Sequence, residues 1–188
     1  GVKMRLLELR GLPVAVLIDF VHKHGGILGP AHPCGGKYLS FTNTKRYYKS
    51  PELFKRFDFI EVFNACESAE SNARALKLAQ KYKKPGIGGS DAHRPNCVGM
   101  GYTILPERVT CETELIALIR SKSSVIETGG SLYGKTTKDK MGKADKILTY
   151  SFWFYNKAGT IMRKRKRMLN GKIENPVDPI DPIELKYM

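Results

Sequence analysis

Apolar residues recur along the chain in short runs closed by glycine, proline or a polar residue, and stretches with helical spacing lie between them. Gly26-Ile27-Leu28-Gly29, Phe59-Ile60-Glu61-Val62-Phe63, Pro85-Gly86-Ile87-Gly88 and Gly101-Tyr102-Thr103-Ile104-Leu105 are runs of this kind. They predict strands near 26–31, 58–63, 86–89 and 100–105. Val14, Leu17, Ile18 and Val21 predict a helix over 11–24, with Pro13 in its first turn and Gly25-Gly26 as its stop. The clearest helical stretch is 67–83, where Ala73, Leu76, Ala79 and Gln80 share a face. Glu67 and Glu70 near its start and Lys81, Lys83 and Lys84 at its end match the helix dipole. A further helix starts from Thr110 as N-cap and carries Leu115, Ile116, Leu118 and Ile119 on its apolar stripe. Ser50-Pro51-Glu52 opens a short helix ending by Arg56, and Ser124-Val125-Ile126-Glu127 reads as a last strand stopped by Thr128-Gly129-Gly130.

Three of the apolar runs lead to polar residues in a regular rhythm. His32 follows the first, Glu61 lies in the second, and Asp91 and His93 follow the third. The steps from His32 to Glu61 and from Glu61 to Asp91 are each about 30 residues, the length of one strand-helix-strand unit. That rhythm points to a parallel α/β layout, in which sites gather at the C-terminal ends of the strands. In an extended segment Asp91 and His93, two apart, face the same side. A carboxylate and an imidazole are ligand types taken by Zn, Mn and Fe. The plainer alternative is a glycine-rich loop with a solvated acid and histidine.

Taken in order, Ala31-His32-Pro33, Ile60-Glu61-Val62-Phe63-Asn64-Ala65 and Gly88-Gly89-Ser90-Asp91-Ala92-His93 resemble the C-terminal half of the PHP (polymerase and histidinol phosphatase) family of metal-dependent phosphoesterases. The resemblance covers roughly residues 10–130. It implies an α/β fold, part of a distorted β/α barrel, and hydrolysis of phosphate esters at a cluster of metal ions. His32, Asp91 and His93 would be metal ligands serving different ions, Zn, Mn or Fe, while Glu61 and Asn64 would shape the site. Arg94 is expected either to meet the substrate phosphate or to be a surface arginine. The family's N-terminal motifs, an Asp-x-His-x-His strand followed by further His and Glu ligands, have no counterpart here, and the histidines are His22, His24, His32 and His93. The chain also opens at Gly1 without an initiator Met. It is therefore expected to be a fragment carrying part of a site, weakly active or inactive alone. The N-terminal half of the same protein or a second copy is the expected protein partner. A non-catalytic scaffold of the same fold is the alternative.

Composition adds three constraints. A formal net charge of +14 over 188 residues favours polyanionic partners, a phosphorylated small molecule or nucleic acid. Cys34, Cys66, Cys97 and Cys111 form no C-x-x-C pair, which favours reduced thiols and a cytoplasmic location. Cys34 is close enough in sequence to His32 to reach a metal, or is a buried free thiol. No apolar run approaches a membrane span, so no membrane role is expected.

The remaining features divide between packing and function. His22 and His24 imitate an H-x-H pair, yet on a helix end their side chains diverge by about 200°, and they are better read as complementing the dipole. Residues 34–49 form a loop with the cations Lys37, Lys45 and Arg46, a phosphate contact or a solvated basic face. Asn72 is placed either on the packing face of its helix or turned inward toward the site. The domain expectation is a PHP-like region over 1–130 and a basic helical extension over 131–188. Within the extension, residues 144–156 have amphipathic spacing, and Arg163-Lys164-Arg165-Lys166-Arg167 follow. Those five cations would support sequence-independent nucleic-acid binding as the alternative function.

Overall fold

The computed structural model describes residues 9, 12–35, 40–121 and 127–133, with scattered positions between 147 and 165. Ile27–Lys140 form one compact unit, and Gly1–Gly26 with Met141–Met188 form another.

The second of these units contains helix α1, Val14–Lys23, with Val16, Ile18, Phe20 and Val21 buried. Pro13 is its N-cap and His24 its C-cap. The His24 ring answers the end of the helix directly. Its Nδ1 lies 2.8 Å from the Phe20 carbonyl oxygen, and it packs on the Phe20 ring at 4.3 Å between centroids. Farther along, Ile147, Tyr150, Ser151, Phe154 and Tyr155 are helical and exposed, as is Arg165. Arg165 is the one member of the Arg163–Arg167 run among the described residues; Arg163, Lys164, Lys166 and Arg167 lie outside them.

The unit of Ile27–Lys140 is mixed α/β. Strand β1, Ile60–Asn64, buries Ile60, Val62 and Asn64 on one face, the alternation that the pleat imposes. It pairs in parallel with β2, Gly86–Gly89, and the register shifts between Glu61 and Phe63. The crossover between them is helix α3, Ala69–Tyr82, which follows the five-residue helix α2, Lys45–Lys49. Ser68 caps α3 by accepting from the Ser71 N–H at 3.1 Å, and Lys83, in the left-handed conformation at φ 51°, ends it. The buried face of α3 is Ser71, Ala75 and Ala79, whereas Ala73 and Leu76 are exposed. The packing stripe thus lies to one side of the face expected from spacing. Small residues there let α3 sit close on β1.

Strand β3, Gly101–Ile104, pairs antiparallel with β4, Glu127–Gly130. The Thr128-Gly129-Gly130 stretch expected to stop a strand is therefore inside one, and residues 122–126, which hold most of the expected strand 124–127, lie outside the described residues. β2 meets β3 through a side chain: the Gly88 N–H donates to Thr103 Oγ1 at 2.9 Å, and that hydroxyl donates to the Gly88 carbonyl at 3.0 Å. Gly101 lies so close to the Gly89 carbonyl that any Cβ would collide with it. Helix α4, Glu112–Arg120, follows β3.

Among the described residues the strands form two two-stranded sheets, one parallel and one antiparallel, and no closed barrel. The expected strand near 26–31 joins no ladder. Gly29 and Pro30 interrupt it, and its place is held by a reciprocal pair. Leu28 N–H donates to Asp58 Oδ2 at 2.8 Å, and Asp58 N–H donates to the Leu28 carbonyl at 2.9 Å.

Below the His32 loop lies an aromatic cluster. Phe41, Phe54 and Phe57 are buried and meet edge to face with centroids 5.2–5.8 Å apart, Tyr47 packs edge-on against Phe41 and Phe54, and Tyr82 of α3 stacks on Phe54 at 5.4 Å. The stretch expected to be a phosphate contact or a solvated basic face thus also supplies the buried Phe41 and the half-buried Tyr47 to this cluster. Lys37 lies outside the described residues. No helix among the described residues is long and apolar enough to cross a membrane.

Candidate functional site

His32 sits in a tight loop between Pro30 and Pro33, in the left-handed region at φ 31°. For a residue with a Cβ that conformation costs on the order of 1–3 kcal/mol, so the surroundings must hold it. They do so from several directions. The Gly35 N–H donates to the His32 carbonyl at 3.0 Å, and Thr42 donates to the Pro33 carbonyl through its N–H at 3.0 Å and its hydroxyl at 2.8 Å. Arg74 of α3 donates to the Cys34 carbonyl at 2.8 Å. His32 Nδ1 lies 3.4 Å from the hydroxyl of the fully buried Ser40, which leaves Nε2 as the ring nitrogen for any other partner. Cys34 is a buried free thiol, and burial pushes its pKa up against the opposing effects of Thr42 and Arg74.

The second part of the site is the end of β1. Glu61 Oε2 accepts from the His32 backbone N–H and, at 3.1 Å, from Asn64 Nδ2. Asn64 is 1% exposed, and its Oδ1 accepts from the Cys66 N–H at 2.9 Å. Asn72 turns inward from α3 and closes the pattern. Its Oδ1 accepts from the Asn64 N–H at 3.0 Å, and its Nδ2 donates to the Asn64 carbonyl at 3.1 Å. One carboxylate thereby ties the His32 loop to the strand end.

Next to β1 runs β2, where Ala65 N–H donates to the Gly89 carbonyl at 3.0 Å. A Cβ on Gly89 would stand 2.5 Å from Glu61 Oε1, so only glycine lets that carboxylate lie over the strand end. The chain then turns at Asp91, the second non-glycine site residue in the left-handed region, at φ 49°. The Asp91 side chain is 24% exposed and that of His93 66% exposed. His93 Nδ1 lies 2.8 Å from the Asp91 carbonyl oxygen and 3.8 Å from its Oδ1. A carbonyl oxygen can only accept, so Nδ1 is the ring nitrogen that donates there and Nε2 is the one left for another partner. Arg94 is exposed beside it.

The structure joins His32, Glu61 and Asn64 directly, joins Asp91 to His93, and sets the two groups on neighbouring strand ends. One participant had no signal in the sequence. Tyr133, just beyond β4, donates its hydroxyl to the Ser90 carbonyl at 2.7 Å and to the Asp91 carbonyl at 3.0 Å.

The donor types suit Zn, Mn or Fe, but the arrangement does not make a metal cage by itself. Among the described residues no group of three or more His, Cys, Asp or Glu side chains is placed to hold an ion. Glu61 Oε2 is spent on backbone and amide donors, and the His93 ring offers only Nε2. What these residues can do unaided is hold two imidazoles and a carboxylate, with an arginine beside them, at and beside the ends of β1 and β2.

No curated protein and no solved structure matches the chain. Residues 69–124, which run from α3 through β2, the Asp91–His93 turn and β3 to α4, match the family described as PHP-associated, and this part of the chain is consistent with a PHP-family C-terminal region.

Proposed function

We propose that this chain supplies part of the active site of a metal-dependent phosphoesterase, with the remaining donors coming from outside its residues. The observation that supports the reading is the Asp91-Ala92-His93 turn. It lies inside the family match and leaves a strand adjacent to the one whose Glu61 and Asn64 hold the His32 loop. In this reading a divalent ion, Zn, Mn or Fe, supplies Lewis acidity and an activated water when it is bound by the completed donor set. The chain's own residues bind and orient. His32 and His93 present Nε2, Asp91 presents its carboxylate, and Arg94 meets a phosphate oxygen. The substrate class is a phosphate ester, of a small molecule or of nucleic acid.

The test is a protein in which an Asp-x-His-x-His strand and its following ligands are joined ahead of this chain. It is assayed on a small phosphate ester with added Mn or Zn. Metal-dependent turnover is expected, and Asp91→Asn or His93→Ala lowers it by on the order of a thousandfold or more. Neutralising Arg163 to Arg167 leaves turnover of the small ester unchanged. A completed protein that binds metal yet turns over no phosphoester tried overturns the proposal.

A further inference from the structure

We propose that Tyr133 is the positioning residue of the Asp91–His93 turn, its phenol fixing the two carbonyls from which both side chains take their direction. A phenol has one proton, and here that proton is shared between the Ser90 carbonyl at 2.7 Å and the Asp91 carbonyl at 3.0 Å. Two consecutive carbonyls converge on one donor only when the peptide planes are turned toward each other. The left-handed Asp91, at φ 49°, produces that turn. The strained backbone and the shared donor are thus two halves of one arrangement.

The same carbonyl controls the histidine. Asp91 oxygen accepts from Tyr133 and also lies 2.8 Å from His93 Nδ1, so its two lone pairs are divided between the phenol and the imidazole. Tyr133 sets the carbonyl, the carbonyl holds Nδ1, and Nε2 is left for another partner. Tyr133 is itself anchored independently of its hydroxyl. Its N–H donates to the Ala65 carbonyl at 2.9 Å, and the Ser131 N–H donates to the Met100 carbonyl at 2.8 Å. Since the Ala65 N–H in turn bonds Gly89, the tyrosine bridges the end of β1 and the turn that leaves β2. Its phenol also stays a donor. Burial, followed by the neighbouring Cys66 thiol, Cys97 and Asp91, holds the hydroxyl well above its ordinary pKa.

The consequence for turnover rests on the phosphoesterase reading; the geometric statement does not. Tyr133→Phe removes the shared proton and, with the hydroxyl, its contact with the Cys66 thiol, and leaves the ring in place. In the chain as it stands, the amides of 91–94 are expected to exchange at least about tenfold faster, with the thermal midpoint nearly unchanged. The His93 ring nitrogen signals should move from a defined Nδ1–H tautomer toward the mixture of a free imidazole. Tyr102→Phe, an exposed tyrosine on β3, should alter neither. Unchanged exchange and an unchanged His93 tautomer in Tyr133→Phe overturn the proposal. Should that variant fail to fold, wild type decides. Slowed amide exchange at 91–94, together with the Nδ1–H tautomer of His93, upholds the proposal, and absence of either overturns it. In the completed protein, Tyr133→Phe should lower kcat about ten- to a hundredfold with KM little changed. If the His93 signals move but no completed protein turns over a phosphoester, the phosphoesterase reading falls and the positioning role stands. If wild type turns over and the variant matches it, the positioning role falls.

Discussion

Asn64 is bonded through both ends of its side-chain amide and through its backbone. Its amide nitrogen serves Glu61, its amide oxygen serves the Cys66 N–H, and its backbone is paired with the Asn72 side chain, all at 1% exposure. Asn64→Ala therefore strands the Cys66 N–H and frees one side of the Glu61 carboxylate. A buried polar group left unpaired costs about 1–3 kcal/mol, so a loss near 3 kcal/mol is expected in urea unfolding. Asn72→Ala should act in the same direction through the strand's backbone. At this scale His32, Asp91 and His93 stood out as candidates because they follow short apolar runs at an even spacing. Asn72 was legible only as one of two orientations. Tyr133 was not legible at all, since a lone tyrosine after Gly129-Gly130 has no pattern of its own. Its partners lie 42 and 43 residues away, and only the fold brings them together.

Helix α4 shows how an element's end can depend on one exposed acid. Cys111 is its N-cap and makes no side-chain cap bond. Instead Glu114 Oε2 accepts from the N–H at 2.7 Å and the hydroxyl at 2.9 Å of Thr110, the residue before the N-cap. These bonds, backbone first, hold the Glu114 carboxyl below its ordinary pKa. The sign follows from linkage. A depressed folded pKa contributes stability above the unfolded pKa, lost as pH falls through the folded one. The Thr110 amide should therefore exchange faster as pH drops below the ordinary glutamate range, after correction for intrinsic rates, and Glu114→Ala should abolish that dependence. Thr110 as a helix start was readable, but its hydroxyl donates to the acid when an N-cap's would accept. Strands β1 and β2 and helix α3 came through at nearly their expected bounds because apolar runs and end charges mark them. β4 did not, because Gly129 and Gly130 read as a break. In an antiparallel pair with Gly101 and Tyr102, their lack of side chains admits the Tyr102 ring and the Met100 carbonyl.

In the unit of Ile27–Lys140, the aromatic cluster around Phe54 includes Phe41, whose chain neighbours Ser40 and Thr42 contact the His32 loop. Phe54 is fully buried and touches Phe41, Tyr47, Phe57 and Tyr82. Phe54→Ala should destabilise this unit by about 3–5 kcal/mol, read as a lower denaturant midpoint. The same substitution should loosen the Thr42 bonds to Pro33 that brace His32. The mixed α/β class was visible in the rhythm of the chain. The expected part of a barrel is not seen among the described residues, because the hand and direction of strand pairing are decided by long-range packing, and β3 pairs with β4 antiparallel. The reach of the Tyr133 bonds also bears on the order in which the molecule assembles. β1, α3 and β2 are contiguous in the chain, and their contacts can form as soon as residue 89 is made. The hydroxyl that fixes Asp91 arrives more than 40 residues later, and the loop it closes must surrender its freedom before the bond rewards it. On a growing chain, every residue of β1, α3 and β2 therefore precedes the one whose hydroxyl closes the Asp91–His93 turn.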